Sequence, residues 1–105
     1  MLLKHFVTKQ GDQLSFTVTF KNLTTPLTSI EFGAMKSMSQ EVYDVYLYEN
    51  HGINKLADNK YQITISPEIT ADLEPAWYFY DLQIRIGSVV KTPLSGKLVI
   101  QESVL

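Results

Sequence analysis

The chain contains no cysteine. Disulfides, thiolate metal centres and cysteine nucleophiles are therefore excluded, and a common mark of small secreted domains is missing. There is also no surplus of positive charge. Nine Lys and Arg stand against eleven Asp and Glu, for a formal net charge of -2 at pH 7. That balance cannot neutralise a phosphate backbone, so nucleic acid is not an expected partner. No apolar run approaches the roughly 20 residues of a membrane-spanning helix, so no membrane is expected either. The opening Met1-Leu2-Leu3-Lys4-His5-Phe6 turns polar too soon for a signal peptide. Without such a signal, Asn22-Leu23-Thr24 reads as a chance glycosylation sequon.

Catalytic constellations are equally sparse. His5 and His51 are the only histidines, and no further ligand stands at zinc-like spacing from them. Both are expected to be exposed or turn residues. Glu68, Asp72 and Glu74 form a local acidic group without the ligand order and central glycine of a calcium loop. Glu41, Asp44 and Glu49 could share acid–base work only in a cleft that separates two pKa values, and a chain of 105 residues has little material for one. No Gly-x-Ser-x-Gly elbow and no phosphate-cradling glycine loop occurs. The expectation is no enzyme, no cofactor and no metal.

What is present is a hydrophobic fraction of 45%, ordinary for a globular domain, in a chain of 105 residues, the size of one domain. The dominant period is two. Leu14, Phe16, Val18 and Phe20 alternate with Ser15, Thr17 and Thr19. A turn follows over 22–25, and Ile30, Phe32 and Ala34 then repeat the pattern. Within 41–48, Val45 and Leu47 share one face, and Asp44, Tyr46 and Tyr48 the other. A turn with Gly52 leads on to Tyr61, Ile63 and Ile65. Ser66 suits a helix cap, Pro67 the first helical position, and Ile69 and Leu73 one inward face. Pro75 stops that helix. The longest strand runs over 76–86. Gly87-Ser88 then has the chemistry of a two-residue hairpin, with strands over 89–92 and, after Pro93, 96–101. These elements predict an all-β fold: one antiparallel immunoglobulin-like β-sandwich of about seven strands over 1–105, with one short helical turn near 67–73.

From Ser66 onward the residues carry a resemblance. The order is Ser66-Pro67-Glu68, Ala71-Asp72-Leu73, Tyr78-Phe79-Tyr80-Asp81-Leu82-Gln83, then Thr92-Pro93-Leu94 and Gly96. It resembles small β-sandwich proteins of tailed phages and prophages, similar to the N-terminal domain of a baseplate upper protein. The early Gly11-Asp12 turn fits as well, whereas Ala76 stands where that family usually has glycine. The resemblance implies a non-enzymatic virion or tail-baseplate accessory protein, present in the bacterial cytoplasm during assembly and then in the virion. Its partners would be other virion proteins or copies of itself.

Parity along the strand over 76–86 singles out a surface. If Tyr78, Tyr80 and Leu82 face the core, Trp77 and Phe79 face away from it, and Tyr46 and Tyr48 join them from another strand. Such a set is a candidate contact patch. The alternatives are that the core takes the other face or that a loop covers the rings. Exposed aromatics also stack on sugars, so an adhesive or carbohydrate-binding module is the competing reading. Asp81, in mid-strand where aspartate is disfavoured, would meet either a partner or an internal donor such as Arg85.

Overall fold

The computed structural model describes residues 2–21 and 23–105. Asn22, at once the sequon asparagine and the first residue of the turn expected over 22–25, lies outside them. Among the described residues the fold is nearly all β: β1 (Leu2–Leu3), β2 (Phe6–Lys9), β3 (Leu14–Thr19), β4 (Ser29–Met35), β5 (Val45–Glu49), β6 (Gly52–Ala57), β7 (Lys60–Ile65), α1 (Pro67–Asp72), β8 (Ala76–Ile86) and β9 (Val89–Gln101). The strands follow the order β1-β9-β8-β4-β5-β6-β7-β3, with β2 also on β9.

Most neighbours are antiparallel, but the sheet is mixed. β1 and β2 run parallel to β9, with Phe6 opposite Leu98 and Lys9 opposite Gln101. This corrects the expectation of a purely antiparallel arrangement. β1, β2 and β6 also exceed the strands that alternation reveals. The reason is local: Leu2 and Leu3 are both exposed, and in β6 only Ile53 is buried. β1 and β6, held mostly by pairing, carry no period-two signal, and in β2 the alternation spans only four residues.

β5 and β6 are joined only by Tyr48 opposite Gly52 and Glu49 opposite Ile53, round a turn in which Asn50 and Gly52 both take positive φ. Beyond that narrow bridge the sheet curls. Its far strand, β3, returns to β2, where the rings of Phe6 and Phe16 stack at 4.4 Å. Phe16 also meets Phe32, and Phe32 stacks on Tyr80 at 5.2 Å. These rings sit among Ile30, Leu47, Ile63, Leu82, Leu98 and Ile100, all buried. β3 closes the curl as the last strand of the sheet among the described residues, and its apolar face is half-buried.

Pro93 does not divide β9. The β8–β9 register shifts between Leu82 and Ile84, and the proline passes through that irregularity, where a missing N–H breaks no ladder bond. Gly87, with positive φ, turns the two-residue hairpin between Ile86 and Val89. Ala76 opens β8 opposite Ile100.

Helix α1 begins as its sequence suggests, with the Ser66 side chain accepting a hydrogen bond from the Ile69 N–H at 3.3 Å. Its fully buried residue is Thr70. The Thr70 hydroxyl donates to the Asp12 carbonyl at 2.8 Å and accepts from the Gly11 N–H at 3.1 Å. The Gln10 side-chain amide donates to the Leu73 carbonyl at 2.8 Å. The β2–β3 turn is thereby tied to the helix that leads into β8. At the start of β8 the Tyr78 hydroxyl donates to the Glu74 carbonyl four residues upstream, at 2.7 Å.

Candidate functional site

The inner face of β8 carries Tyr78, Tyr80, Leu82 and Ile84, all buried. Because successive strand residues alternate in direction, Trp77, Phe79, Asp81 and Gln83 point outward. On β5 the same rule buries Val45 and Leu47 and turns Tyr46 and Tyr48 out. All four aromatics named from parity are open to solvent: Trp77 61%, Phe79 43%, Tyr46 46% and Tyr48 41%. The core takes the opposite face, and each of the four keeps 41% or more of its surface open.

They do not form one continuous platform. Tyr46 lies opposite Gly33 on β4, and Gly33 opposite Asp81 on β8. Trp77 is four residues from Asp81 along β8, about 13 Å at the usual strand rise. It sits at the far end of the face, with the Lys97 ammonium 4.4 Å from its ring centroid. Tyr46 and Tyr48 belong instead to an aromatic ladder. Tyr43 stacks on Tyr46 at 5.3 Å, Tyr46 meets Tyr48 at 5.6 Å, and Tyr48 meets His51 at 4.4 Å.

Tyr43 is a member of the face that alternation misses, because it lies in bends before β5 and is 51% exposed. Its position depends on Gly33. A Cβ there would stand 2.6 Å from the Tyr43 ring, so the ring rests on bare backbone. The loop that delivers Tyr43 is held by Asp44, whose carboxylate accepts from the Lys36 N–H at 2.9 Å and from the Gln40 amide at 3.0 Å. Asp44 is thus a loop anchor. At the loop's start the Lys36 ammonium pairs with Glu74 at 3.0 Å.

Between Tyr43, Tyr46 and Phe79 lies a shallow hollow of about 120 Å³, bordered by Glu31 and Asp81. The Tyr46 hydroxyl donates to Glu31 at 2.9 Å, and this bond raises the hydroxyl's pKa above its ordinary value. The Asp81 side chain is exposed and forms no hydrogen bond or ion pair among the described residues. The internal partner expected for it, Arg85 for example, is not observed. Arg85 points out of the same face four residues further along the strand.

The histidines stand apart. His5 accepts the Lys97 N–H on its Nδ1 at 3.0 Å, and His51 closes the tyrosine ladder. Among the described residues no group of three or more His, Cys, Asp or Glu side chains is placed to hold a metal ion.

No family model and no curated protein matches the chain. Among solved structures, the NK cell receptor Nkp44, a triggering partner in natural cytotoxicity, is similar. Its TM-score is 0.50 at 15% identity, over 95% of this chain and 99% of that one. At that identity the likeness concerns fold alone, and it supports a β-rich, immunoglobulin-like architecture.

Proposed function

We propose that this chain is a non-enzymatic structural domain that acts through protein–protein contacts made by the outer face of β5, β4 and β8. One observation carries the reading: five large aromatics, Tyr43, Tyr46, Tyr48, Phe79 and Trp77, stand exposed on the face opposite the core. The core is already supplied by the inner face, so these rings add little to folding. Tyrosine, phenylalanine and tryptophan are the residues enriched where proteins meet. The resemblance of the segment from Ser66 to Gly96 supplies the setting, a phage or prophage virion or tail-baseplate accessory protein. Its partners there are other virion proteins or further copies of the chain.

The same reading treats the curled sheet as an immunoglobulin-like sandwich. β2-β9-β8-β4-β5 form one layer, β6-β7-β3 form the other, and the narrow β5–β6 bridge is the crossing between them. Two features support it. The Tyr78 hydroxyl bonded to the Glu74 carbonyl has the form of a tyrosine corner. The cluster of Phe6, Phe16, Phe32 and Tyr80 bridges the layers, where an antibody domain uses a disulfide and a tryptophan.

The test is light scattering behind size exclusion, from micromolar to millimolar protein. The expected mass rises above the 12.0 kDa of one chain, and a Tyr46→Ser/Phe79→Ser variant with unchanged melting stays monomeric. Equal association by that variant would remove the face from the contact. A wild-type chain that stays monomeric throughout would leave only a different protein as partner.

The exposure of Trp77 favours one competing reading, a sugar-stacking adhesive module. Against it, the Trp77 ring already has the Lys97 ammonium over it. Glycan-array binding lost in Trp77→Ala would favour the sugar reading, and silence on every glycan would count against it.

A further inference from the structure

The hollow in the aromatic face has a chemistry of its own, and we propose that it seats a positively charged side chain of a partner protein, an arginine ahead of a lysine. This deepens the reading of the face as a protein-contact surface and rests on it.

The shape comes from Gly33. In the row Tyr46–Gly33–Asp81 the middle position has no side chain, so the surface dips there, and the Tyr43 ring can lie against the exposed backbone. Tyr43 and Tyr46 stack with only 17° between their planes, and Phe79 stands across the hollow. Aromatic rings lining a hollow can take a cation over their faces, because the quadrupole of an aromatic ring is negative there.

The charge comes from Asp81 and Glu31. Gln83 faces Glu31 across the β4–β8 pair, and Asp81 faces Gly33, so the two acids are diagonal neighbours. Such neighbours stand about 7–8 Å apart, within reach of one forked group. Glu31 uses one carboxylate oxygen for the Tyr46 hydroxyl, which leaves the other for a second donor. Asp81 has no internal partner among the described residues. The nearest cations are engaged or distant. Lys97 lies over Trp77, Lys36 pairs with Glu74, and Arg85 is about 13 Å further along β8. Lys97 stands opposite Phe79 and diagonal to Asp81, but its ammonium lies over Trp77. Two carboxylates and three rings, with neither Asp81 nor Glu31 in an ion pair among the described residues, are complementary to a cation brought from outside. A guanidinium suits them better than an ammonium, because its plane stacks on rings while its fork engages carboxylate oxygens in pairs.

The probe is the blocked tripeptide acetyl-Gly-Arg-Gly-amide, followed by NMR of the tyrosine and phenylalanine ring signals of the whole chain. Its lysine and citrulline forms and tetramethylammonium chloride serve as comparisons. The expected result is a saturable shift at Tyr43, Tyr46 and Phe79, with the citrulline peptide weaker by about tenfold or more. Asp81→Asn is expected to weaken the arginine peptide by about fivefold, while Trp77→Ala leaves it unchanged. Equal binding of arginine and citrulline peptides would overturn the proposal. So would an Asp81→Asn variant of undiminished affinity, tighter binding of tetramethylammonium, or no saturable shift at all. Light scattering separates this proposal from the broader one. If association is lost in Tyr46→Ser/Phe79→Ser but untouched in Asp81→Asn, the cation seat fails and the contact face stands. If neither variant changes association, the face itself fails.

Discussion

Replacing Thr70 by valine keeps the shape of the side chain and removes only its hydroxyl. That hydroxyl is fully buried, accepts from the Gly11 N–H at 3.1 Å and donates to the Asp12 carbonyl at 2.8 Å. Valine leaves both backbone groups without their partner. Each orphaned group costs about 1–3 kcal/mol when fully buried. The turn over 10–12 is partly open to water, which offsets some of that loss, so about 2 kcal/mol is expected for the pair. For a domain of this size that lowers the melting temperature by about 8 °C. Thr70→Ser keeps the hydroxyl and loses one methyl group, worth about 1 kcal/mol. The expected order of stability is therefore threonine, then serine, then valine, although valine is the closer match in volume. Thermal unfolding followed by circular dichroism, with urea midpoints as a second measure, decides the order. A valine variant as stable as the serine one would refute the view that the hydroxyl ties α1 to the β2–β3 turn.

Three further outcomes are expected. Tyr78→Phe removes the hydrogen bond to the Glu74 carbonyl while keeping the ring, and should lower stability by about 1–2 kcal/mol in urea denaturation. Gly96→Ala should cost about 2–3 kcal/mol, because its Cβ would collide with the Lys4 carbonyl and Gly96 holds a positive φ of 155°. The loss should appear as early exchange of the β1 amides in hydrogen-exchange experiments. Burial raises the pKa of the Tyr61, Tyr78 and Tyr80 hydroxyls, that of Tyr80 from 10.0 to about 12. A folded-state pKa above the unfolded value contributes stability that is fully present below pH 10 and is lost as pH rises towards 12. Melting temperature should therefore be insensitive to these groups below pH 10 and fall above it, less steeply in Tyr80→Phe. An unchanged slope in that variant would contradict the assignment.

Much of the architecture is legible one strand at a time. The alternation in β3, β4, β7 and β8 sorts inward from outward residues, and the structure buries Phe32, Ile63, Tyr78, Tyr80 and Leu82 accordingly. The Ser66 cap, the Pro67 start and the Gly87-Ser88 hairpin are also local chemistry, and each is where its residues place it. β1 and β6 are not legible, since they bury almost nothing and exist through pairing with distant segments. Pro93 is misleading for a related reason. Read alone it ends a strand, yet the register shift in its partner strand lets β9 run through it.

The candidate face divides in the same way. Sequence by itself determined that Trp77 and Phe79 point one way and Tyr78 and Tyr80 the other, because backbone geometry forces neighbouring strand residues to opposite sides whatever the rest of the chain does. It equally determined that no thiol chemistry is available, since no cysteine exists. Only the tertiary structure decided which strands are neighbours, and therefore that Gly33 stands between Tyr46 and Asp81. It also decided that Tyr43 folds over from a loop, that Thr70 holds the β2–β3 turn, and that β1 and β2 run parallel to β9. Those features follow from the closure of long loops around one shared core, a free-energy balance over the whole chain that no single window of residues contains.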